Sequence, residues 1–361
     1  MTKERPNILI ACDSRVRQEY LDKGDLERLE QFAHWDWFEC EGGGIYDTNE
    51  DRETGKKLAE RLADVDGLVV CHGCPTLTSE ILDKAPRLKF IGELEGDRFA
   101  TRIDVEAAWE RGICTVDTTN GSSYPVSEWA LALILISLRN AGSHFRRLLA
   151  GNPRHPPRDD FGYVHGDLTG KRVGLIGCGH IGRRLIQFLR PFDVEIWVHD
   201  PYLAKEMADA VGFLKTSLDN VMSQCDAIVC LAPHTPLTEG MIGQRELDLI
   251  PAGSVIVNVS RGKVIDSEAL VTRLKKGDIV AGLDVFDPEV TEMEEPYGGS
   301  EIVHLDNVFM TPHIAGVTAR SYPRFFTLMV DELKRFLEGH ETLFDLTPRS
   351  IANRRGDESK N

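Results

Sequence analysis

Short apolar runs alternate with stretches of helical spacing along the first third of the chain. Four runs have the length and composition of buried strands: 7–12, 67–72, 88–93 and 112–118. Between them, residues 78–85 and 104–112 repeat apolar positions at helical spacing. Strands that alternate with helices predict a parallel sheet. The charged stretches 22–30 and 47–63 are predicted to face solvent.

A second series of the same kind starts at Lys171. Its predicted strands are 172–177, 194–200, 227–233, 254–260, 279–285 and 307–312. Strands with short helical returns are typical of one doubly wound sheet. The helix predicted for 321–339 lies beyond this sheet, and one interpretation is that it crosses back to the first domain. The polar tail, 348–361, is predicted to be frayed.

The segment between the two series predicts a helix and an arm. Pro125 suits a first helical turn, and residues 126–138 are apolar almost all round, which predicts a helix buried on every side. Residues 151–171 are rich in Pro, Gly and charge and are interpreted as an ordered loop or arm. A chain of 361 residues has room for two domains. The predicted fold class is therefore α/β, with two doubly wound parallel-sheet (Rossmann/flavodoxin-like) domains and a cleft between them.

Charge and composition limit the kinds of binding partner that the protein can have. The formal net charge of −16 argues against a nucleic-acid or acidic-membrane partner, because phosphate binding needs clustered Lys and Arg. The longest apolar run, 129–138, is half the length of a membrane span, and the first residues lack a signal-peptide pattern, so the prediction is a cytoplasmic protein. The eight cysteines are scattered, which predicts reduced, buried thiols. Cys71 and Cys74 form a lone CxxC without a second ligand pair, so no metal site is predicted.

A glycine-rich motif opens the second series. Residues 177–182 read GCGHIG, directly after a predicted strand and before a predicted helix. In that context Gly177 makes the turn, Gly179 admits a pyrophosphate, Gly182 allows close packing, and the amides near His180 and Ile181 face the anion. Asp200 lies 18 residues past Gly182, where a carboxylate accepts from both ribose hydroxyls and favours NAD over NADP. The alternative is a packing cluster of glycines with no ligand.

Further candidate residues follow the other predicted strands, where an open α/β sheet binds its ligands. They are Ala232, Pro233, Ser260, Arg261, Asp284 and His313. Arg261 is either half of a structural ion pair or a fork for a substrate carboxylate and carbonyl. His313 has the pKa range of a proton donor to a developing alkoxide. The carboxylate that would orient it stays open among Asp284, Asp287, Glu289, Glu292, Glu294 and Glu295.

Six segments of the chain form a recognisable series. They read LTGKRVGLIGCGHIGRRL, VHDP, LAPHTPLTEGMIG, VNVSRGKVID, AGLDVFDPE and NVFMTPHIAG. In order and spacing, these motifs resemble those of the NAD-dependent D-2-hydroxyacid dehydrogenases. Phosphoglycerate, glycerate and D-lactate dehydrogenases belong to that family. The resemblance implies a discontinuous substrate-binding domain, 1–122 plus 318–361, and an NAD-binding domain, 123–317. It also implies a homodimer joined through a helical arm at about 123–166.

The resemblance also implies roles for individual residues. Arg261 would bind the substrate carboxylate and carbonyl, His313 would be the acid–base, and Glu289 would pair with His313. The implied cofactor-binding residues are Gly177, Gly179, His180, Ile181, Gly182, Asp200, Pro201, Ala232, Pro233, Thr238, Val259, Ser260, Arg261, Asp284, His313 and Gly316. The implied substrate-binding residues are His72, Gly73, Gly96, Arg98 and Arg261. The substrate would be a small anionic 2-oxoacid or 2-hydroxyacid.

The chain departs from the family pattern in the segments that the resemblance implies bind substrate. His72 and Gly73 stand where the family usually has a polar pair such as Arg-Ser. In the family, this part of the chain is a loop with a sequence close to AGVGxDNID, whose backbone amides hold the substrate carboxylate. Residues 93–104, ELEGDRFATRID, replace it here with a longer loop, in which Gly96 would keep one of these amides. Arg98 and Arg102 are added cations, which either bind a larger or more anionic substrate or pair on the surface with Glu93, Glu95 or Asp97. Val290 replaces the usual proline, and the insertion at 154–163 is unusual.

Two alternative functions remain at this point. One is an NAD(H)-responsive regulatory binding protein of the same fold, as the C-terminal-binding protein corepressors show. The other is a phosphite-type dehydrogenase, which retains the Arg, Glu and His. Formate dehydrogenases usually carry Gln at the position of Glu289, so the sequence argues against that branch.

Overall fold

The computed structural model describes residues 5–44, 48–96, 102–152, 166–288 and 300–356. It divides into two compact units. We call Met1–Ser122 with Thr318–Lys360 the amino-terminal unit, and Ser123–Val317 the central unit.

The described ranges hold twelve strands and fourteen α-helices. The strands are β1 Asn7–Cys12, β2 His34–Glu39, β3 Gly67–Val70, β4 Phe90–Glu93, β5 Cys114–Asp117, β6 Arg172–Ile176, β7 Glu195–His199, β8 Leu214–Lys215, β9 Ala227–Cys230, β10 Val255–Asn258, β11 Val280–Leu283 and β12 Val308–Met310. The helices are α1 Ser14–Glu19, α2 Lys23–Glu30, α3 Arg52–Arg61, α4 Ser79–Leu82, α5 Val105–Glu110, α6 Ser123–Leu138, α7 Ala141–Leu149, α8 His180–Leu189, α9 Lys205–Val211, α10 Leu218–Gln224, α11 Gln244–Asp248, α12 Ser267–Leu274, α13 Ser321–Leu337 and α14 Pro348–Arg355.

The amino-terminal unit is built on a five-stranded parallel sheet in the order β2-β1-β3-β4-β5. Side chains alternate between its two faces, as in any strand. In β1, Leu9 and Ala11 join one buried cluster, and Ile8 and Ile10 join the other. Helices cover both faces, which explains why β1, β3 and β4 are continuous apolar runs.

Four of these five strands were predicted, and β2 was missed. Its sequence, HWDWFE, contains no continuous apolar run, and its residues are exposed or half-buried because β2 is an edge strand. The charged stretches beside it form helices α2 and α3, which begin at the side-chain caps Asp22 and Asp51.

The carboxyl-terminal segment completes the amino-terminal unit. Helix α13 buries Phe325, Phe326 and Met329 in the same cluster as Ile8 and Ile10. A Cβ added at Gly92 of β4 would lie 2.2 Å from Met329 Sδ, so a larger residue there would require the end of the Met329 side chain to move.

The prediction of a frayed tail was wrong for residues 348–355. They form α14, which has a Thr347 cap and Pro348 in its first turn. Ile351 and Ala352 are buried there, and this apolar pair docks an otherwise polar helix.

The central unit is built on a seven-stranded parallel sheet in the order β12-β11-β10-β9-β6-β7-β8. The six predicted strands are confirmed, and the added strand, β8, is a two-residue edge strand too short for a periodic signal. Ile256 of β10 packs in one buried cluster and its neighbours Val255 and Val257 in the other.

Helix α6 packs against this sheet with one face only. A Cβ added at Gly282 of β11 would lie 2.5 Å from Ser137 Oγ of α6. Within a single chain the opposite face of the predicted segment is only partly buried, since Leu135 is 37% exposed.

All eight cysteines lie within the described ranges and none forms a disulfide. Seven of the eight are buried. No helix in the described part of the chain is long and apolar enough to cross a membrane. Those ranges also contain no group of three His, Cys, Asp or Glu side chains that could hold a metal ion.

Candidate functional site

The carboxyl edge of the central sheet collects most of the residues that the sequence singled out. The strand order reverses between β6 and β9, and this is where open α/β sheets bind ligands. Gly177 follows β6 with φ +88°, a conformation that favours glycine. A Cβ added there would lie 3.0 Å from the backbone nitrogen of Ala232, which follows β9. The two loops therefore meet at the reversal point.

The other motif glycines have different surroundings. A Cβ added at Gly182 would lie 3.2 Å from Gly177 O, so Gly182 permits close packing of α8. A Cβ added at Gly179 would meet no atom within 4 Å, so the space over this residue is open. This arrangement fits a dinucleotide, because the backbone at Gly179 can be approached by a pyrophosphate.

Helix α8 adds positive potential to that opening. Gly179 is its cap, and His180 and Ile181 form its first turn, where unpaired backbone N–H groups favour anions. A groove of about 400 Å³ runs along the same helix. Its lining is His180, Arg183, Arg184, Gln187, Arg190, Ala210 and Val211. Burial raises the pKa of the Cys178 thiol to about 12, so this side chain adds no negative charge to the loop.

Asp200 ties β7 to the glycine loop. Its Oδ2 accepts a hydrogen bond of 2.9 Å from the backbone N–H of Cys178, and its Oδ1 accepts one of 2.9 Å from the backbone N–H of Tyr202. Each carboxylate oxygen has a second lone pair for a ribose hydroxyl. Pro201 follows it and is exposed.

The loop after β9 is fixed by a threonine. Thr238 Oγ1 donates to Pro233 O at 2.6 Å and accepts from the backbone N–H of Thr235 at 2.8 Å. Ala232 and Pro233 therefore lie in a turn of fixed shape beside the glycine loop.

Arg261 follows β10 in a turn organised by Asn258. Asn258 Oδ1 accepts from the backbone N–H of Ser260 at 3.0 Å, and its Nδ2 donates to Arg261 O at 3.0 Å. Val259 and Ser260 are buried, whereas Arg261 is half-buried and donates from Nη1 to Ser260 O at 2.7 Å. A Cβ added at Gly262 would lie 2.4 Å from the carbonyl carbon of Phe286, so glycine is needed after Arg261.

His313 follows β12 in a loop held by Asp284. Asp284 is 1% exposed, and its Oδ1 accepts from Thr311 Oγ1 at 2.5 Å and from the backbone N–H of Ile314 at 3.0 Å. Its Oδ2 accepts from the backbone N–H of Ala315 at 2.8 Å. The backbone N–H of His313 donates to Asp284 O at 2.9 Å. His313 itself has φ +52°, a conformation that costs a non-glycine residue about 1–2 kcal/mol. Gly316 is half-buried and ends this loop.

The carboxyl edge of the amino-terminal sheet carries the residues predicted to bind substrate. His72 and Gly73 follow β3, and Gly73 has φ +84°. A Cβ added at Gly73 would lie 2.8 Å from Cys40 O, so His72 is followed by a position that only glycine can occupy. The backbone N–H of Gly96 donates to Thr119 Oγ1 at 3.0 Å, within the same unit.

Glu95 joins two of these loops. Its Oε2 accepts a hydrogen bond of 2.5 Å from Tyr20 OH and lies 3.2 Å from His72 Nε2. The latter is an ion-pair contact without the alignment of a good hydrogen bond. Burial alone would raise the pKa of Glu95. The contacts from His72 and Tyr20 and the charge of Arg102 outweigh it, so the pKa lies below its usual value.

Arg102 pairs with Glu93, one of the partners considered from the sequence, but the pair is buried and not on the surface. It is fully buried, as is Glu93, and its Nη1 lies 2.5 Å from Glu93 Oε1. The same Nη1 donates to Glu95 O at 3.2 Å, and Nη2 donates to Gly44 O. Arg102 therefore links two loops of the amino-terminal unit instead of facing a ligand or solvent.

Glu289 and Arg98 lie outside the described residues, as do Asp97, Val290, Glu292, Glu294, Glu295 and the insertion at 154–163. Sequence reasoning missed Asn258, Thr311 and Tyr20. Asn258 and Thr311 stand at strand ends, a position that could have drawn attention to them. Tyr20 stands in no motif, and its partner is 75 residues away.

The chain is similar to known proteins in sequence and in structure. Residues 131–315 match the family model described as "D-isomer specific 2-hydroxyacid dehydrogenase, NAD binding domain". A D-3-phosphoglycerate dehydrogenase of Methanocaldococcus jannaschii is 34% identical over 288 residues, which are 79% of this chain and 52% of that protein. A glyoxylate reductase of Pyrococcus furiosus is 31% identical over 297 residues, 80% of this chain and 85% of that protein. The chain thus spans about half the length of the first relative and most of the second.

A solved structure is similar over nearly the whole chain. It is the D-lactate dehydrogenase of Aquifex aeolicus in complex with NAD and lactic acid. The TM-score is 0.65 and the identity 25%, with 92% of this chain and 96% of that chain covered.

Proposed function

Since the chain belongs to the D-isomer specific 2-hydroxyacid dehydrogenases, we propose that it is an NAD-dependent oxidoreductase for a 2-hydroxyacid/2-oxoacid pair. Its central unit carries the NAD binding domain of that family. The observation that supports the proposal best is the shared position of three features. The open glycine loop, Arg261 and His313 all follow strands of one parallel sheet, at its carboxyl edge.

We assign the groups of the central unit as follows. Arg261 has a fork of N–H donors that matches a substrate carboxylate and carbonyl oxygen. His313 exchanges a proton with the substrate oxygen, as imidazole can near neutral pH. Asp284 holds the loop that presents His313, and Glu289 is proposed to orient its ring. The nicotinamide ring, when bound, supplies or accepts the hydride.

The remaining site assignments also stay proposals. The glycine loop binds the pyrophosphate and Asp200 the ribose hydroxyls, with Pro201, Ala232, Pro233, Thr238, Val259, Ser260 and Gly316 lining the rest. In the amino-terminal unit, His72, Gly73, Gly96 and Arg98 are proposed to contact substrate.

We also propose that two copies associate through α6 and α7. Phe145, Leu148 and Leu149 of α7 are 62%, 56% and 73% exposed, and Leu135 of the preceding helix α6 is 37% exposed. A cluster of large apolar side chains on a helix surface indicates a protein interface. Leu148→Glu combined with Leu149→Glu should convert a dimer to a monomer in analytical ultracentrifugation. Met207→Glu, on the exposed side of α9, is the matched control, and dimers with both variants would contradict this interface.

The proposed activity is tested by NADH oxidation against a panel of 2-oxoacids. The panel runs from glyoxylate and pyruvate to hydroxypyruvate and to branched, aromatic, sugar-derived and phosphorylated acids. Turnover of one class supports the proposal. Tight NADH binding without turnover of any acid would instead favour the regulatory alternative. NAD reduction by phosphite alone would favour the phosphite-type alternative.

A further inference from the structure

The amino-terminal sheet has a ligand-binding position of its own. Its strand order reverses between β1 and β3, because β2 lies on one side of β1 and β4 on the other side of β3. The loops after these two strands are joined by a hydrogen bond of 2.8 Å from the backbone N–H of Asp13 to His72 O. Ligands of open α/β sheets bind outside the carboxyl ends of strands at such a reversal.

Glu95 is held at this position by one of its two oxygens. Tyr20 OH and His72 Nε2 both contact Oε2, at 2.5 and 3.2 Å. Oε1 accepts no hydrogen bond from the residues that the structure describes. The two contacts fix the direction of the carboxylate. The side chain is 17% exposed, so a ligand can still reach it.

The surroundings of Glu95 favour a negative charge on it. Burial, followed by the charge of Glu95, raises the pKa of Tyr20, so the phenol keeps its proton and stays a donor. Arg102 is fully buried and bonded to Glu93 and to two backbone carbonyls, so its charge is not presented to a ligand. An ionised carboxylate can only accept hydrogen bonds.

Resting on the proposed function, we propose that Glu95 is a specificity-determining residue. Its Oε1 accepts a hydrogen bond from a donor group on the side chain of the 2-oxoacid substrate, either a hydroxyl or a cationic nitrogen. The same carboxylate disfavours a substrate with a second anionic group, such as a phosphate or a distal carboxylate. This differs from the more anionic substrate that Arg98 and Arg102 suggested from the sequence, because Arg102 points into the unit.

The test compares kcat/KM of the wild type and Glu95→Gln for matched acids. Hydroxypyruvate is compared with pyruvate, and 5-guanidino-2-oxopentanoate with 2-oxohexanoate. Phosphohydroxypyruvate and 2-oxoglutarate supply the second anionic group. Glu27→Gln is the control, because it removes one charge from an exposed side chain of the same unit. NADH affinity is measured for each variant.

We expect Glu95→Gln to lower kcat/KM about 10- to 100-fold for an acid with a donor group, the loss typical of one hydrogen bond to a charged group. Its unsubstituted partner should change less than about 3-fold, and the doubly anionic acids should be turned over faster than by the wild type. If kcat/KM falls more for hydroxypyruvate, the donor is a hydroxyl; if it falls more for the guanidino acid, the donor is a cationic nitrogen. Glu27→Gln should behave as the wild type does.

Equal effects of Glu95→Gln on all acids, or no effect on either donor acid, would overturn the role of Glu95 while leaving the proposed activity intact. If the wild type reduces no 2-oxoacid, the proposed function itself fails. Tyr20→Phe provides a second test if Glu95→Gln does not fold. It keeps the ring that stacks on Tyr322 at 4.8 Å between centroids and removes only the donor to Glu95. A loss confined to the same donor acids is expected, and a uniform loss would contradict the proposal.

Discussion

Removing the Arg102 guanidinium should destabilise the amino-terminal unit more than any surface charge change. The perturbation is Arg102→Met, which keeps a long apolar stem and deletes the charge. Both Arg102 and Glu93 are fully buried, and their closest atoms are 2.5 Å apart. The substitution leaves the Glu93 carboxylate buried without its cation and frees the carbonyls of Glu95 and Gly44.

The magnitude follows from that burial. Breaking a buried ion pair from one side costs about 3–5 kcal/mol, because the remaining charge is uncompensated. This is a large share of a total stability of about 5–15 kcal/mol. Arg87→Met is the matched control. Arg87 pairs with Asp66 at 3.0 Å with 45% of its side chain exposed, and such a pair contributes about 0–1 kcal/mol.

Native-state hydrogen exchange by mass spectrometry measures the change within the unit itself. The protection factors of peptides covering β3 and β4 should fall about 10²- to 10⁴-fold in Arg102→Met, since each 1.4 kcal/mol of lost stability lowers a protection factor tenfold. Peptides from the central sheet report whether the change is local. The double variant Glu93→Gln with Arg102→Met should recover part of the loss, because it leaves no buried charge.

The defect should depend on pH with a defined sign. Burial raises the pKa of Glu93 and Arg102 opposes this, so the pKa rises further in Arg102→Met. A carboxyl group whose pKa is higher in the folded than in the unfolded state destabilises the fold least when the pH is below its unfolded-state pKa. Its destabilising effect grows as the pH rises toward the folded-state value. The loss should therefore be smaller near pH 5 than at pH 8. A loss of protection under about 1 kcal/mol, or one that grows on acidification, would refute the reasoning.

Three further predictions concern the central unit. His313→Ala should lower 2-oxoacid reduction by about 10²–10⁴-fold, the usual loss of a general acid, with NADH binding retained, and an undiminished rate would remove His313 from the reaction. Asp284→Asn should lower kcat about tenfold while NADH affinity changes little, because the loop of His313 loses one acceptor; unchanged kcat would show that the loop does not need it. Asp200→Ala should reduce the preference for NADH over NADPH in steady-state kinetics, and unchanged discrimination would mean that another group reads the ribose.

The local sequence determined the architecture and the edge on which the chemistry lies. Ten of the twelve strands were predicted, because parallel strands covered on both faces are continuous apolar runs. The glycine motif and the residues after each strand followed from the same pattern, since the carboxyl ends of parallel strands share one edge. Alternation of Trp35 and Trp37 was the one signal for β2, and it is weak because that strand is half-exposed.

The tertiary structure alone decided where individual charges lie. From the sequence, Arg102 was either a substrate-binding cation or half of a surface ion pair. Only the structure shows that it is buried against Glu93 and bonded to the backbone of Gly44. Glu95 gains its direction from Tyr20, 75 positions earlier, and from His72. Such contacts arise from the close approach of loops after separate strands. No local periodicity records them, because burial and pairing depend on the whole sheet and not on neighbouring residues.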